Sequence, residues 1–331
     1  MKQPWTSTLS GLAAVFICGS FLPGFEARAE PTVTLAVDNA AIAEAAGVAT
    51  FTATLSETSL LDVTVNLGLS GTATGGGTDY TLSSSAIVIS AGNLSNTATV
   101  TAEQDALDED NETVIVDIDS VNNGTESGTQ QESTAITDDD AEPSVTLAVD
   151  NATIAEAAGV ATFTATLGAV SGRDVTVNLA LSGTATGGGT DYTLSSAAIV
   201  ISAGNLSNTA TVTADQDVLD EDDETVIVDI DSIANGTESG TQQETTTILD
   251  DDALPTVTLS VDDTTIEEAS GVAIFTATLN AVSGRDVTIN LGFTGTASGG
   301  GTDYNVSSST IVISAGNLNG TTTVTADQDA L

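Results

Sequence analysis

A segment of 112 residues repeats along the chain. The sequences PTVTLAVDNA, PSVTLAVDNA and PTVTLSVDDT begin at Pro31, Pro143 and Pro255, so successive copies start 112 residues apart. A period this long is typical of tandem whole domains rather than of a solenoid of short repeats. The predicted domains are residues 30–142, 143–254 and 255–331, and we expect the third copy to be incomplete, lacking about the last third of a unit.

The first 29 residues have the form of a signal peptide. Lys2 precedes an apolar run over residues 9–25, and the small residues Ala27 and Ala29 follow it. The run is interrupted by Gly, Ser and Pro and is short for a membrane span. We therefore expect cleavage before Glu30 and an exported mature protein, either secreted or on the cell surface. A membrane anchor is the competing interpretation.

The charge of the predicted mature chain is strongly one-sided. It holds 46 acidic residues against two basic ones, Arg173 and Arg285. A nucleic-acid partner is excluded, because such binding needs a basic surface. We expect no direct membrane insertion of the mature segment either. Its lack of Cys excludes disulfides, so another stabilising device is needed, and a bound metal is the usual one.

Each copy reads as a series of short β-strands. The segments VTLAV, VATFTATL, DVTVNLGL, AIVIS, TATVTA, TVIVDI and STAIT alternate apolar and polar residues and are rich in β-branched side chains. About seven such strands in some 110 residues predict an all-β protein of tandem immunoglobulin-like β-sandwiches. Phe51, Phe163 and Phe275 recur on the second of these strands and are predicted to be the largest core side chains.

Acidic residues collect at predicted strand ends. If the strands alternate in direction after Gly47, eight carboxylates of the first copy converge on one pole of its sandwich. The opposite pole carries the loops in which Arg173 and Arg285 occur in the later copies. The eight converging residues are Glu44, Asp79, Asp105, Glu109, Glu112, Asp138, Asp139 and Asp140.

Such a pole needs a neutralising partner, because carboxylates a few ångströms apart repel by on the order of 1 kcal/mol per pair even in water. Ca²⁺ accepts six to eight oxygen ligands and is the natural cation for Asp and Glu, whereas Mg²⁺ retains more water. Zinc and iron favour His or Cys, which the mature chain lacks. The alternative is that acidic loops only confer solubility.

Three motifs resemble the Calx-beta domain family of sodium/calcium exchangers and integrin β4. They are G-T-A-x-x-x-G-x-D-Y from Gly71 to Tyr80, D-x-x-x-E-D-x-E-T from Asp105 to Thr113, and the closing Asp-Asp-Asp, and all recur in the second copy. The resemblance covers residues 31–254 fully and the third copy in part. It implies a sandwich of two antiparallel sheets that binds several Ca²⁺ ions at one end, often as tandem modules of surface proteins.

The resemblance also implies a ligand set. Strongly binding members carry paired aspartates where this chain has Gln104 and Gln216, each before an Asp, so fewer ions or weaker affinity should follow. The third copy is expected to have no complete site. Carried over position by position, the metal ligands are Glu44, Asp79, Asp105, the Leu107 carbonyl, Glu109, Glu112 and Asp138, Asp139 and Asp140; then Glu156, Asp191, Asp217, the Leu219 carbonyl, Glu221, Glu224 and Asp250, Asp251 and Asp252; and finally Glu268, Asp303 and Asp329.

These observations predict a calcium-binding, non-enzymatic protein. Its Ca²⁺-rigidified modules would act as a spacer or adhesion segment, with calcium ions as ligands and other surface proteins or glycans as candidate partners. One alternative is an acidic stalk that needs no metal. A remote alternative is a carboxylate-based hydrolase, disfavoured because one or two Phe and one Tyr per copy cannot line a sugar cleft with aromatic rings.

Overall fold

The structure, a computed structural model, describes residues 29–328, so nearly all of the predicted signal peptide and Asp329 lie outside it. Every regular element in this range is a β-strand, which confirms the predicted all-β class. No helix within residues 29–328 could cross a membrane. The chain divides into two compact units, one formed by residues up to Gln104 with Glu112–Thr137, the other by Asp105–Asn111 with Asp138–Leu331.

The first unit contains one β-sandwich of two five-stranded sheets. One sheet has the order β5-β7-β3-β1-β9 and the other β2-β10-β8-β4-β6. Strand alternation sends Phe51, Val65 and Val116 inward, where each is fully buried. The strands are β1 Thr32–Val37, β2 Ala41–Ala43, β3 Val48–Leu55, β4 Val63–Gly71, β5 Tyr80–Leu82, β6 Ala86–Ile89, β7 Ser95–Ala102, β8 Glu112–Asn122, β9 Thr125–Glu126 and β10 Gln131–Thr137.

The second copy repeats this architecture within the second unit. Its sheets have the orders β15-β17-β13-β11-β19 and β12-β20-β18-β14-β16, and Phe163 is fully buried between them. The strands are β11 Ser144–Val149, β12 Thr153–Ala155, β13 Val160–Leu167, β14 Val175–Gly183, β15 Tyr192–Leu194, β16 Ala198–Ile201, β17 Ser207–Ala214, β18 Glu224–Ala234, β19 Thr237–Glu238 and β20 Gln243–Leu249.

The two full copies have ten strands each rather than about seven. The seven predicted segments all form strands, and the additional ones are β2, β5 and β9 with their counterparts in the second copy. These are two or three residues long, too short to show an alternating pattern. Two of them pair in parallel, β2 with β10 and β9 with β1.

The third copy forms a half-open sandwich. A four-stranded sheet, β21-β22-β26-β24, faces a two-stranded sheet of β23 and β25. Phe275 is only half-buried, unlike Phe51 and Phe163, because a cleft remains between it and Leu259 and Phe293. The strands are β21 Val257–Val261, β22 Val272–Leu279, β23 Val287–Asn290, β24 Tyr304–Val306, β25 Thr310–Ile313 and β26 Asn319–Ala326.

Candidate metal centre

One end of the second copy's sandwich gathers strand ends from both of its sheets. Tyr192 at the start of β15 pairs with Ala214 at the end of β17. Glu224 at the start of β18 pairs with Ile248, one residue before the end of β20. The loops beside these four strand ends therefore converge, and they carry most of the predicted ligands.

A first carboxylate trio comprises Glu156, Asp217 and Asp252. Ligand atoms of the three side chains lie within 4.8 Å of one another. The amide of Asp217 donates to Glu156 Oε1 at 3.0 Å, and the amide of Leu219 donates to Asp217 Oδ1 at 2.7 Å. Two of the carboxylates are thus oriented by the backbone of the loop between β17 and β18.

A tight turn after β12 holds Glu156 in place. Ala158 adopts a left-handed φ of 58°, and its amide donates to the Glu156 carbonyl. A Cβ on Gly159 would lie 2.4 Å from the Ala155 carbonyl oxygen, so only glycine fits there. The Gly159 carbonyl in turn accepts from the amide of Ala214, which fastens this turn to the end of β17.

A second trio comprises Asp191, Glu221 and Glu224, again with ligand atoms within 4.8 Å of one another. The amide of Asp191 donates to the Thr186 carbonyl at 3.0 Å. Its carbonyl accepts from the amide of Asp215, also at 3.0 Å. The Gly-rich loop before β15 is therefore joined to the loop that follows β17.

Two members of the first trio, Glu156 and Asp217, and all three members of the second trio border one small cavity of about 20 Å³. Asp250 Oδ1 and Asp252 Oδ2 are buried and have no hydrogen-bond partner. A buried carboxylate oxygen without a donor or a cation is costly. An all-oxygen donor set with unsatisfied buried atoms fits a hard divalent cation. The cavity is lined by Glu156, Asp191, Asp215, Asp217, Glu221, Asp222, Glu224, Ile248 and Asp250.

Carboxyl pKa values rise across this site. Burial, a hydrogen bond with Asp191 and the negative charges nearby raise the pKa of Glu224 to about 7. Burial is also the largest cause that raises the pKa values of Glu156, Glu221 and Asp252, with neighbouring carboxylates adding to it. The site thus disfavours its own negative charge, which a bound cation would offset.

Two predicted ligands of the second copy lie differently from the trios. Asp251 is exposed, and its Oδ1 accepts from Gln216 Nε2 at 3.3 Å. Leu219 is half-buried and is placed through its amide contact with Asp217. The cavity also includes Asp215 and Asp222, which the sequence analysis missed. A signal existed for Asp215, since each copy has an acidic residue immediately before its Gln-Asp pair.

The predicted ligands of the first copy are divided between the two compact units. In the second unit, the amide of Glu109 donates to Asp138 Oδ1 at 3.3 Å. Asp140 Oδ2 is buried without a hydrogen-bond partner, as is Asp252 Oδ2 in the next copy. Glu44, Asp79 and Glu112 belong to the first unit, and Asp105, Leu107, Glu109 and Asp138, Asp139 and Asp140 to the second.

The third copy retains two of its three predicted ligands within the described residues. Glu268 is exposed, and Asp303 is half-buried. The Asp303 carbonyl accepts from the amide of Asp327, as Asp191 does from Asp215. Asp329 lies outside the described residues, so the incomplete third site stays a prediction.

Comparisons with known proteins identify the family. The family model described as Calx-beta domain matches residues 26–140, 138–252 and 250–331. No curated protein matches the chain. Similar solved structures include CBD12 from CALX1.2 and the calcium binding domain CBD12 of CALX1.1, each 14% identical, covering 60% of this chain and 80% of the other at a TM-score of 0.29.

A Bacteroides ovatus protein of unknown function is also similar. It is 10% identical, with 90% of this chain and 95% of the other covered and a TM-score of 0.24. The family model accounts for all three copies. The protein belongs to the Calx-beta family.

Proposed function

We propose that this protein binds Ca²⁺ at the carboxylate poles of its repeats. The observation that carries the proposal is the pair of trios in the second copy. Five of their six residues line one cavity, and two buried oxygens at this pole, Asp250 Oδ1 and Asp252 Oδ2, have no hydrogen-bond donor. A cation would supply the missing partner and lower the repulsion among the carboxylates.

Calcium fits this donor set better than other common metals. The predicted mature chain has no His or Cys, which zinc and iron favour, and Mg²⁺ keeps more water than a site rich in carboxylates allows. Glu156, Asp217 and Asp252 would hold one ion, and Asp191, Glu221 and Glu224 another. Asp250 and the Leu219 carbonyl would complete the coordination.

The same chemistry extends to the first copy by sequence. Each ligand of the second copy has a residue of the same type 112 positions earlier, from Glu44 to Asp140. The buried, unpartnered Asp140 Oδ2 supports a site there too. In the third copy, Glu268, Asp303 and Asp329 would be too few to form a complete site.

We further propose that the repeats act as a calcium-stiffened spacer or adhesion segment of an exported protein, secreted or at the cell surface. The signal-like leader, the tandem arrangement and the short Asp-Asp-Asp-x-x-Pro junctions support this role. Small-angle scattering on the chain should show a narrower range of interdomain distances with Ca²⁺ than with chelator. If the range of interdomain distances is unchanged at saturating Ca²⁺, the ions act only within each domain and do not stiffen the array.

Calorimetric titration of the chain with Ca²⁺ tests the binding itself. We expect saturable binding at the two complete copies and much weaker binding of Mg²⁺. If Ca²⁺ released or absorbed no heat and displaced no protons, the acidic loops would serve solubility alone and the protein would be a stalk that needs no metal.

A further inference from the structure

A buried aspartate links the second copy to the third. Asp220, in the loop between β17 and β18, is 3% exposed. Ser283 Oγ of the third copy donates to Asp220 Oδ2 at 2.9 Å, and the amide of Gly284 donates to the Asp220 carbonyl at 2.9 Å. The Arg285 guanidinium forms a salt bridge with Asp220 Oδ1. Asp220 is thus fully partnered by a Ser-Gly-Arg segment of the next copy.

The fit at this contact is steric as well as electrostatic. A Cβ on Gly284 would lie 2.7 Å from Glu221 Cγ, so a larger residue would push the two loops apart. Ser283 is 1% exposed and also accepts from the amide of Arg285 at 3.1 Å. This contact within the segment helps to hold the Ser283 hydroxyl towards Asp220.

The same contact occurs a second time within the second unit. Asp108, 3% exposed, accepts from Ser171 Oγ at 2.9 Å and from the amide of Gly172 at 2.9 Å, and it forms a salt bridge with Arg173. A Cβ on Gly172 would lie 2.6 Å from Glu109 Cγ. The same contact, an aspartate held by a Ser-Gly-Arg segment, thus occurs at both places. This recurrence indicates a specific interface rather than a chance surface ion pair.

The first copy departs from this pattern. Where the later copies have Ser-Gly-Arg-Asp, it has Ser59, Leu60, Leu61 and Asp62. Leu60 supplies the side chain that the close approach at Gly172 and Gly284 excludes. Leu61 removes the cation, and the two leucines are 85% and 60% exposed. This loop can neither admit nor neutralise a buried aspartate.

We propose that Ser-Gly-Arg at 171–173 and 283–285 is the acceptor half of a directional docking surface for the Leu-Asp-Glu-Asp loop of the preceding repeat. The pairing needs no metal, because Arg and Ser satisfy the buried carboxylate. It is also selective, since a repeat with Ser-Leu-Leu in this loop, as in the first copy, cannot follow another repeat in the docked arrangement. The proposal is independent of calcium binding.

A loop exchange in the whole chain tests the proposal. Gly284→Leu with Arg285→Leu gives the third copy the loop sequence of the first copy, a sequence that the same fold already accommodates. Spin labels at the exposed positions Thr209→Cys and Thr321→Cys, in a Cys18→Ser background, report the distance between the two copies. All measurements are made with chelator present.

In chelator, the parent should show a narrower distance distribution than the loop-exchanged chain, because docking limits the angles between the copies whether or not Ca²⁺ narrows them further. Asp220→Asn removes the charge of the second copy that pairs with Arg285, so it should broaden the distance distribution as well. Asp222→Asn weakens an exposed contact of Arg285 at 3.2 Å and leaves the buried Asp220 in place, so in chelator it should leave the parent's distance distribution unchanged. Distance distributions of equal width and position in the parent and the loop-exchanged chain would overturn the proposal.

Discussion

Asp191 and Glu224 place carboxylate oxygens within 4.8 Å of one another, although Asp191 precedes β15 of one sheet and Glu224 begins β18 of the other. A hydrogen bond between the two carboxyl groups requires a proton on one of them. Burial is the largest cause that raises the pKa of Glu224 to about 7, and the Asp191 bond and charge add to it. A proton on Glu224 would therefore reduce the repulsion among the carboxylates of the metal-free site.

This proton gives the metal-free chain a defined pH dependence. Because the folded pKa of Glu224 lies above its ordinary value of 4.5, the protonated folded state is favoured below pH 4.5, and this stabilisation is lost as the pH rises through about 7. Melting temperature measured in chelator should fall over that window, and Glu224→Gln should weaken the fall. A pH-independent melting temperature from 5 to 8 would contradict this account.

Removing one ligand charge should weaken calcium binding locally. Glu224→Gln takes a carboxylate from the second trio, so it should reduce affinity at the second copy and leave the first copy unchanged. Asp229→Asn is the matched control, because Asp229 lies further along β18, between the buried Val228 and Ile230 and facing away from the core. Calorimetric titration compares the two, and equal losses would mean that only net charge matters.

Restoring a paired aspartate should strengthen binding. Gln216→Asp adds a charge beside Asp217 and replaces the amide that donates to Asp251. We expect tighter Ca²⁺ binding and, in chelator, a lower melting temperature because the added charge repels its neighbours. Gln243→Asp makes the same charge change at the opposite end of β20. It should alter neither the Ca²⁺ affinity nor the melting temperature in chelator. Unchanged affinity in Gln216→Asp would place this residue outside the coordination sphere.

Replacing the recurring phenylalanine compares how much its ring stabilises the second and the third copy. Phe163→Ala removes a fully buried ring and should destabilise the second copy by about 3–5 kcal/mol. Phe275→Ala should cost clearly less, because its ring borders the open cleft of the third copy. Urea unfolding monitored by circular dichroism measures both. Equal costs would mean that the cleft closes in solution.

The sequence predicted the fold and the acidic pole of this protein for a physical reason. Alternating β-branched strands of a fixed period specify a sandwich, and strand direction alone brings Glu156, Asp191, Asp217, Glu221 and Glu224 to one end. The alternation of TVIVDI likewise places Val114, Val116 and Ile118 in the core, with Asp117 out of phase between the last two. Periodicity is thus sufficient where a residue's position depends on its own strand.

Relationships between copies could not be predicted in this way. The two arginines were placed on the pole opposite the carboxylates, yet their buried partners, Asp108 and Asp220, lie in the acidic loops of the preceding sequence copies. That pairing depends on how one repeat follows another, which no pattern within a single copy encodes. The short strands β2, β5 and β9 were missed because two or three residues show no period.

Thermal unfolding of the chain in millimolar Ca²⁺, in millimolar Mg²⁺ and in chelator tests the central claim most directly. An ion that binds only the folded state stabilises it by about 2.7 kcal/mol when its free concentration is one hundred times Kd. We predict a higher melting temperature in Ca²⁺ than in chelator, with Mg²⁺ close to chelator. Coincident melting curves in Ca²⁺ and chelator would contradict calcium binding at these carboxylate poles.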